Sequence, residues 1–247
     1  MSWWRTRREE LLSVARLGLP AQIIELATLE LAARTLKRTP GIDRVYYATR
    51  GDEHRDVLLV LRRAGLRFIC DSLERFDTLR EHFPKLGLDR VHISLPSGTL
   101  ETYAEALATG AHLILPDAEV LRRWPEIFYK QCVSMCLAQD TDCAGVIALV
   151  EAAGVRIVGF YPKGPVSMAQ LDLFPDLSTV FVSDPERCPA ESCALVVGAE
   201  LMAQACVSLS AAGEAVHSDA PTHKLSQAGD VLIQEGLWFN DLGVKLI

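Results

Sequence analysis

The sequence predicts an α/β fold: a (β/α)8 TIM-like barrel followed by a small, truncated C-terminal β module. Three observations carry that prediction. Eight short runs rich in β-branched and aromatic residues recur along the chain, amphipathic segments lie between them, and glycines stand at the joints. Such alternation implies a parallel sheet with crossover helices, and eight is the strand number that closes a barrel. An open doubly wound sheet shares the signature.

The elements follow in order. An N-terminal helix precedes a strand over Ala21 to Leu26, and the next helix carries Leu29, Leu31, Ala32 and Leu36 at helical spacing. The strand runs are Arg44 to Thr49, Arg67 to Cys70, Arg90 to Leu95, His112 to Leu115, Gln131 to Leu137, Arg156 to Tyr161, Thr179 to Val182 and Cys193 to Val197. Between them lie helices such as Asp56 to Ala64, with Val57, Leu58, Val60 and Leu61 facing inward, Leu100 to Ala108, and Ala144 to Ala153. Gly65, Gly110 and Gly154 each follow a helical run and precede a strand, where a left-handed cap is expected.

After about Val197 the texture changes. Val207, Leu209, Val216, Val231 and Ile233 are separated by Gly, Ser, Asp and Pro, which suggests short antiparallel strands. The expected organisation is a lead-in over 1–40, the barrel over 41–200 and the β module over 201–247, the module also taking in the strand near Gln22. A module of that size has no independent core, so it should pack on the barrel or on another subunit.

Composition narrows the function. Of 247 residues 49% are hydrophobic and 23% charged, ordinary values for a globular protein, and the formal charge of -7 argues against a nucleic-acid partner. Arg5, Arg7 and Arg8 are followed by Glu9 and Glu10 and read as a solvated helix face. The N-terminus has Trp3 and Trp4 and then charges, unlike a signal peptide, and no apolar run approaches a membrane span. Seven scattered cysteines fit a reducing compartment, so a cytoplasmic location is expected.

No nucleophile elbow, P-loop or dinucleotide fingerprint is present. Cys132, Cys136 and Cys143 have loosely metal-like spacing, yet the alternation with Val133, Met135 and Leu137 makes them buried thiols; the pair Cys188 and Cys193 flanks Pro189 in a loop. His217 and His223 near Asp219 read as a polar hairpin, and Asp140 and Asp142 as a helix cap and its first turn. No metal is expected.

The most informative stretch is V-Y-Y-A-T-R-G-D, Val45 to Asp52. Together with L-P-A-Q-I-I-E-L-A-T-L-E-L-A-A-R-T-L before it and L-R-R-A-G-L-R-F-I-C-D-S-L-E-R-F, D-R-V-H-I-S-L-P-S-G-T-L-E-T-Y-A-E-A-L-A-T-G-A and L-I-L-P-D-A-E-V-L after it, it resembles the fold-type III pyridoxal-phosphate (PLP) family of alanine racemase and the ornithine, diaminopimelate and arginine decarboxylases. That resemblance implies an alanine-racemase-type barrel and a head-to-tail dimer in which the β module completes the partner's site.

The resemblance also implies a cofactor lysine where this chain has Arg50, an aspartate where it has Ile69, a ring-stacking histidine near Tyr161 and Lys163, an arginine near Glu200 and a tyrosine at Trp238. Only Ser72 is retained. Arginine stays protonated and does not condense with an aldehyde. A carboxylate at 200 repels a phosphate. The expectation is therefore a degenerate, non-catalytic homologue with no resident cofactor and no covalent PLP link, pairing with itself or with an intact homologue. The alternative is a repurposed barrel in which Arg50 and Lys163 grip an anionic small molecule. Arg50 is otherwise an ion-pair partner of Asp52 or Glu53, and Lys163 a displaced imine-forming lysine or a solvated turn lysine.

Overall fold

The computed structural model describes residues 3–15, 21–49, 54–138, 141–163, 168–174, 176–184, 193–209 and 244–246. The chain divides into two compact units, Thr35–Gly198 and Met1–Arg34 with Ala199–Ile247. In the second of these, β1 (Ala21–Ile24) pairs antiparallel with the strand Cys206–Leu209, which pairs in turn with Val244–Leu246. Val216, Val231, Ile233, His217 and His223 lie outside the described residues.

Thr35–Gly198 is a closed parallel barrel of eight strands: β2 (Ile42–Thr49), β3 (Arg67–Cys70), β4 (Val91–Ser94), β5 (His112–Leu115), β6 (Cys132–Leu137), β7 (Arg156–Pro162), β8 (Thr179–Val182) and β9 (Cys193–Val197). β9 closes on β2, with Tyr46 opposite Val196, so the open-sheet alternative is not realised. Helices cover the outside because their apolar faces match the strands' outward residues. The helix Arg55–Arg63 buries Val57, Leu58, Val60 and Leu61, starts at a His54 cap and stops at Gly65, whose φ of +90° suits glycine. Gly110 and Gly154 close their helices in the same left-handed conformation, at +74° and +62°.

The lumen is packed rather than hollow. Tyr46, Ile69, Ile114, Phe181, Ala194 and Val196 form its buried centre, with Ala48, Cys136 and Tyr161 against it. Ile69 thus belongs to the apolar filling. The thiols of β6, expected to be buried, are only half-buried: Val133, Met135 and Leu137 are fully buried towards the helices, whereas Cys132 and Cys136 lie on the lumen side. Cys143 is buried, and Cys193 is disulfide-bonded, so the cysteines are not uniformly the free thiols their scatter suggested.

A polar cluster crosses the lower lumen. The Tyr46 hydroxyl lies 3.3 Å from His92 Nε2, the His92 and His112 rings are 4.6 Å apart, and His112 Nε2 lies 2.8 Å from Ser134 Oγ. Gly159 makes room for that serine, since a Cβ there would sit 2.3 Å from Ser134 Oγ and 3.0 Å from the Phe181 ring. Burial holds His112 down to about 4. His92 is held well below the ordinary imidazole range, first by burial and then by His112, Arg67 and Arg44.

Two expected outcomes follow from this packing. Gly159→Ala should destabilise the barrel by about 1–3 kcal/mol in urea unfolding, and Ser134→Ala in the same chain should recover part of the loss because the clashing oxygen is gone. For His112, the unfolded chain takes up a proton below its ordinary value of 6.5 while the folded chain refuses one until about 4. Stability should therefore fall as pH drops through that window, by roughly 3 kcal/mol from this group alone, and His112→Gln should flatten the dependence.

Candidate active site at the barrel mouth

In a parallel barrel, reactive groups gather where the strands end, because the loops leaving the strands are free to vary while the strands hold them in place. At this end of β7 Lys163 follows Pro162, its backbone N–H donating to Leu137 O at 2.8 Å and its Nζ donating to Pro116 O at 3.2 Å. These bonds tie the ends of β5, β6 and β7 together. Lys163, Asp117, Cys136, Arg122, Thr141 and Asp142 are among the residues lining a cavity of about 320 Å³. That volume lies within the range of small-molecule sites, roughly 300–1,000 Å³.

The charges in the cavity are mixed. Glu119 is held by Arg123 and then Arg122, whose hydrogen bonds lower its carboxyl pKa, and Asp117 Oδ1 accepts the Glu119 N–H at 2.9 Å. The hydrogen bond of Lys163 goes to a neutral carbonyl, so that partner leaves its charge uncompensated. Burial pushes the Cys136 thiol up, Lys163 acts against that shift and Asp117 adds to it. Cys136 is thus a protonated thiol beside an ammonium, not an activated nucleophile.

Lys163 has no competitor in the barrel unit. The unit's other lysines are Lys37, Lys85 and Lys130, and each lies in a connection leading into a strand, at the opposite end of the barrel. Tyr161 sits below Lys163 on the same strand, its ring stacked on Phe181 with centroids 6.0 Å apart and planes at 19°. Ile69 and Tyr161 therefore border one lumen cluster, and Lys163 stands above it at the mouth.

Ser72 is a structural cap. Its Oγ accepts the Arg75 N–H at 3.2 Å and starts the helix Leu73–His82. Beside it is an arrangement that sequence reading missed. Arg75 Nη1 donates to both Asp71 carboxylate oxygens at 2.8 Å and to the Thr49 carbonyl at 2.9 Å, which fixes the end of β2 immediately before position 50. Asp117 was missed as well, although its place directly after the apolar run of β5 marks it as a strand-end residue. Arg50, Asp52 and Trp238 lie outside the described residues, and Glu200 belongs to the helix Ala199–Ala203 with its side chain outside them. Among the described residues no set of three or more His, Cys, Asp or Glu side chains converges as metal ligands, and no helix is long and apolar enough to cross a membrane.

Neither a family model nor a curated protein matches the sequence. Solved structures do match. A lysine/ornithine decarboxylase from Vibrio vulnificus complexed with cadaverine superposes with a TM-score of 0.69 at 14% identity, over 100% of this chain and 93% of that one. The arginine decarboxylase of Paramecium bursaria Chlorella virus bound to agmatine gives 0.60 at 9% identity over 88% and 69%. An SrLDC mutant in complex with PLP gives 0.58 at 12% over 77% and 65%.

The chain therefore has the eight-stranded α/β barrel of the fold-type III PLP-dependent decarboxylases, and its structural neighbours are the ornithine, lysine, arginine and diaminopimelate enzymes. These neighbours correct the expectation of a barrel without a cofactor, because they are amino-acid decarboxylases and one of them was solved in complex with PLP. On the Lys163 side the mouth offers a cavity of about 320 Å³ with Lys163 and Arg122 as its cations; Asp117, Glu119 and Asp142 line the same cavity, and the Tyr161 ring lies in the lumen cluster below Lys163. At position 50 the sequence offers a guanidinium instead of an amine.

Because Arg75 spans Asp71 and the Thr49 carbonyl, Arg75→Met should loosen the end of β2. The expected cost is about 1 kcal/mol in denaturant unfolding, modest because the pair is partly solvated. Amide exchange near Thr49 should rise, and Arg75→Lys should restore part of the protection.

Proposed function

We propose that the chain is a PLP-binding relative of the basic amino-acid decarboxylases that acts as a non-catalytic subunit, pairing with itself or with an intact homologue. One observation carries this reading: the strand end that the resemblance assigns to the cofactor lysine bears Arg50, while among the described residues of the barrel unit the lysine at the mouth is Lys163, on another strand. When bound, PLP supplies an electron sink for carbanions formed beside it. In this chain Lys163 and Arg122 would meet its negative charge, and the packed lumen, with Tyr161 at its upper border, would keep water from the side below Lys163. A site built across a dimer gives a non-catalytic protomer a way to modulate a working partner.

Titration of the purified protein with PLP should give a saturable rise in melting temperature, because a ligand of the native state stabilises it. Borohydride treatment at low PLP should mark Lys163 first, as read by peptide mass mapping, and Lys163→Met should abolish that mark. Lysine, ornithine, arginine and diaminopimelate should release no carbon dioxide above background. Turnover of any one of them would overturn the non-catalytic role, and a flat melting curve would overturn the ligand.

A further inference from the structure

The end of the barrel opposite the mouth carries a second group of polar side chains that the site above does not use. Along β2, Arg44 lies one alternation below Tyr46, and along β3 Arg67 lies one below Ile69, so both share the lumen face at its floor. Arg67 places its guanidinium 5.9 Å from the Tyr46 ring centroid. Arg156, at the start of β7, donates to Cys132 Sγ at 2.8 Å on the adjoining strand. His92 and His112 stand between these arginines on β4 and β5.

Exposure is graded along this group: Arg44 and Arg156 are exposed, Arg67 and His112 half-buried, and His92 only 8% exposed. The charged groups that act on His92 are His112, Arg67 and Arg44, and none of them is a carboxylate. Arg67 Nη1 also donates to the Asp89 carbonyl at 2.7 Å, a neutral partner, and Asp43 and Asp89 bring carboxylates to this end, so the basic character is that of the groups acting on His92 itself. His92 Nδ1 is buried with no hydrogen-bond partner, although such groups are nearly always satisfied in folded proteins. The remaining lumen neighbours, Tyr46, Ser134, Ile114 and Phe181, bring no negative charge.

We propose that this floor is a binding site for a small inorganic anion, held by Arg44 and Arg67 at the rim and completed by the His92–His112 pair when it takes up a proton. A buried imidazolium beside two guanidinium groups is costly, and an anion is the partner the local charges lack. Neutral imidazoles leave only the two arginines, so binding should strengthen as pH falls. By reciprocity the bound anion must raise the proton affinity of the pair.

Inorganic phosphate at constant ionic strength is the probe, with the imidazole C–H signals of His92 and His112 followed by NMR from about pH 7.5 down through the His112 titration at about 4. Saturating phosphate should move their titration upward by about one unit, and stabilisation at pH 5.5 should saturate with phosphate. Arg44→Gln and Arg67→Gln should each remove most of that shift, and the signals of the wild-type protein report on the site even where a variant folds poorly. A titration that phosphate leaves in place would overturn the assignment. So would a response that grows linearly with salt and is the same in both variants, which would mean an adventitious ion only. The PLP titration reads the opposite end of the barrel, so either result can fail without the other.

Discussion

Closure of β9 onto β2 is the constraint on which the rest of the structure depends. Eight strands fix a lumen just wide enough for side chains to fill, so every interior residue is sized by those across from it. The dependence is visible at Gly159, where the missing Cβ is what admits Ser134, and at Phe181, whose ring meets Tyr46, His92 and Tyr161 at once. An interior polar group in such a space must find its partner on another interior strand. Tyr46 reaches His92, and His112 reaches Ser134.

The same closure separates two chemistries. Parallel strands deliver all their starts to one end and all their finishes to the other, so the residue types of incoming and outgoing connections are never mixed. Lys37, Lys85 and Lys130 lie in incoming connections, whereas Lys163 follows an outgoing strand. Its Nζ joins the ends of β5 and β7 through the Pro116 carbonyl, and Arg75 joins the ends of β2 and β3 through Thr49 and Asp71. The rim of the mouth is thus tied at two places by long cationic side chains, Arg75 between the neighbouring β2 and β3 and Lys163 across β6 from β7 to β5, and the packed lumen beneath gives them a rigid base.

What could be read from the sequence was local. The strand runs and the glycines at 65, 110 and 154 follow from chemistry within a few residues, and the structure reproduces them, with β3, β5, β8 and β9 placed on the expected residues. What could not be read depends on pairs far apart in the chain. Arg75 serves a carbonyl 26 positions earlier, and His112 meets a serine 22 positions later; no periodicity encodes either. The burial of the β6 thiols, expected to be complete, is partial for a related reason. Alternation shows that Cys132 and Cys136 share one side, but a strand buried on both faces does not reveal which side is the lumen.

Arg50 shows how far a single residue can carry a functional argument. Replacing an amine by a guanidinium removes one nucleophile, and nothing more follows from that substitution alone. A ligand with a phosphate and an aromatic ring draws affinity from charge and stacking as well as from any bond to lysine. Those contributions depend on the cavity, and the cavity depends on strand ends held by the backbone, which the substitution leaves alone. This chain and a lysine/ornithine decarboxylase share the fold over 100% and 93% of their lengths at 14% identity, so the scaffold does not depend on most of its individual side chains. An arginine at position 50, where the resemblance implies a lysine, is therefore weak ground for a missing ligand, and much better ground for asking which other amine faces the mouth.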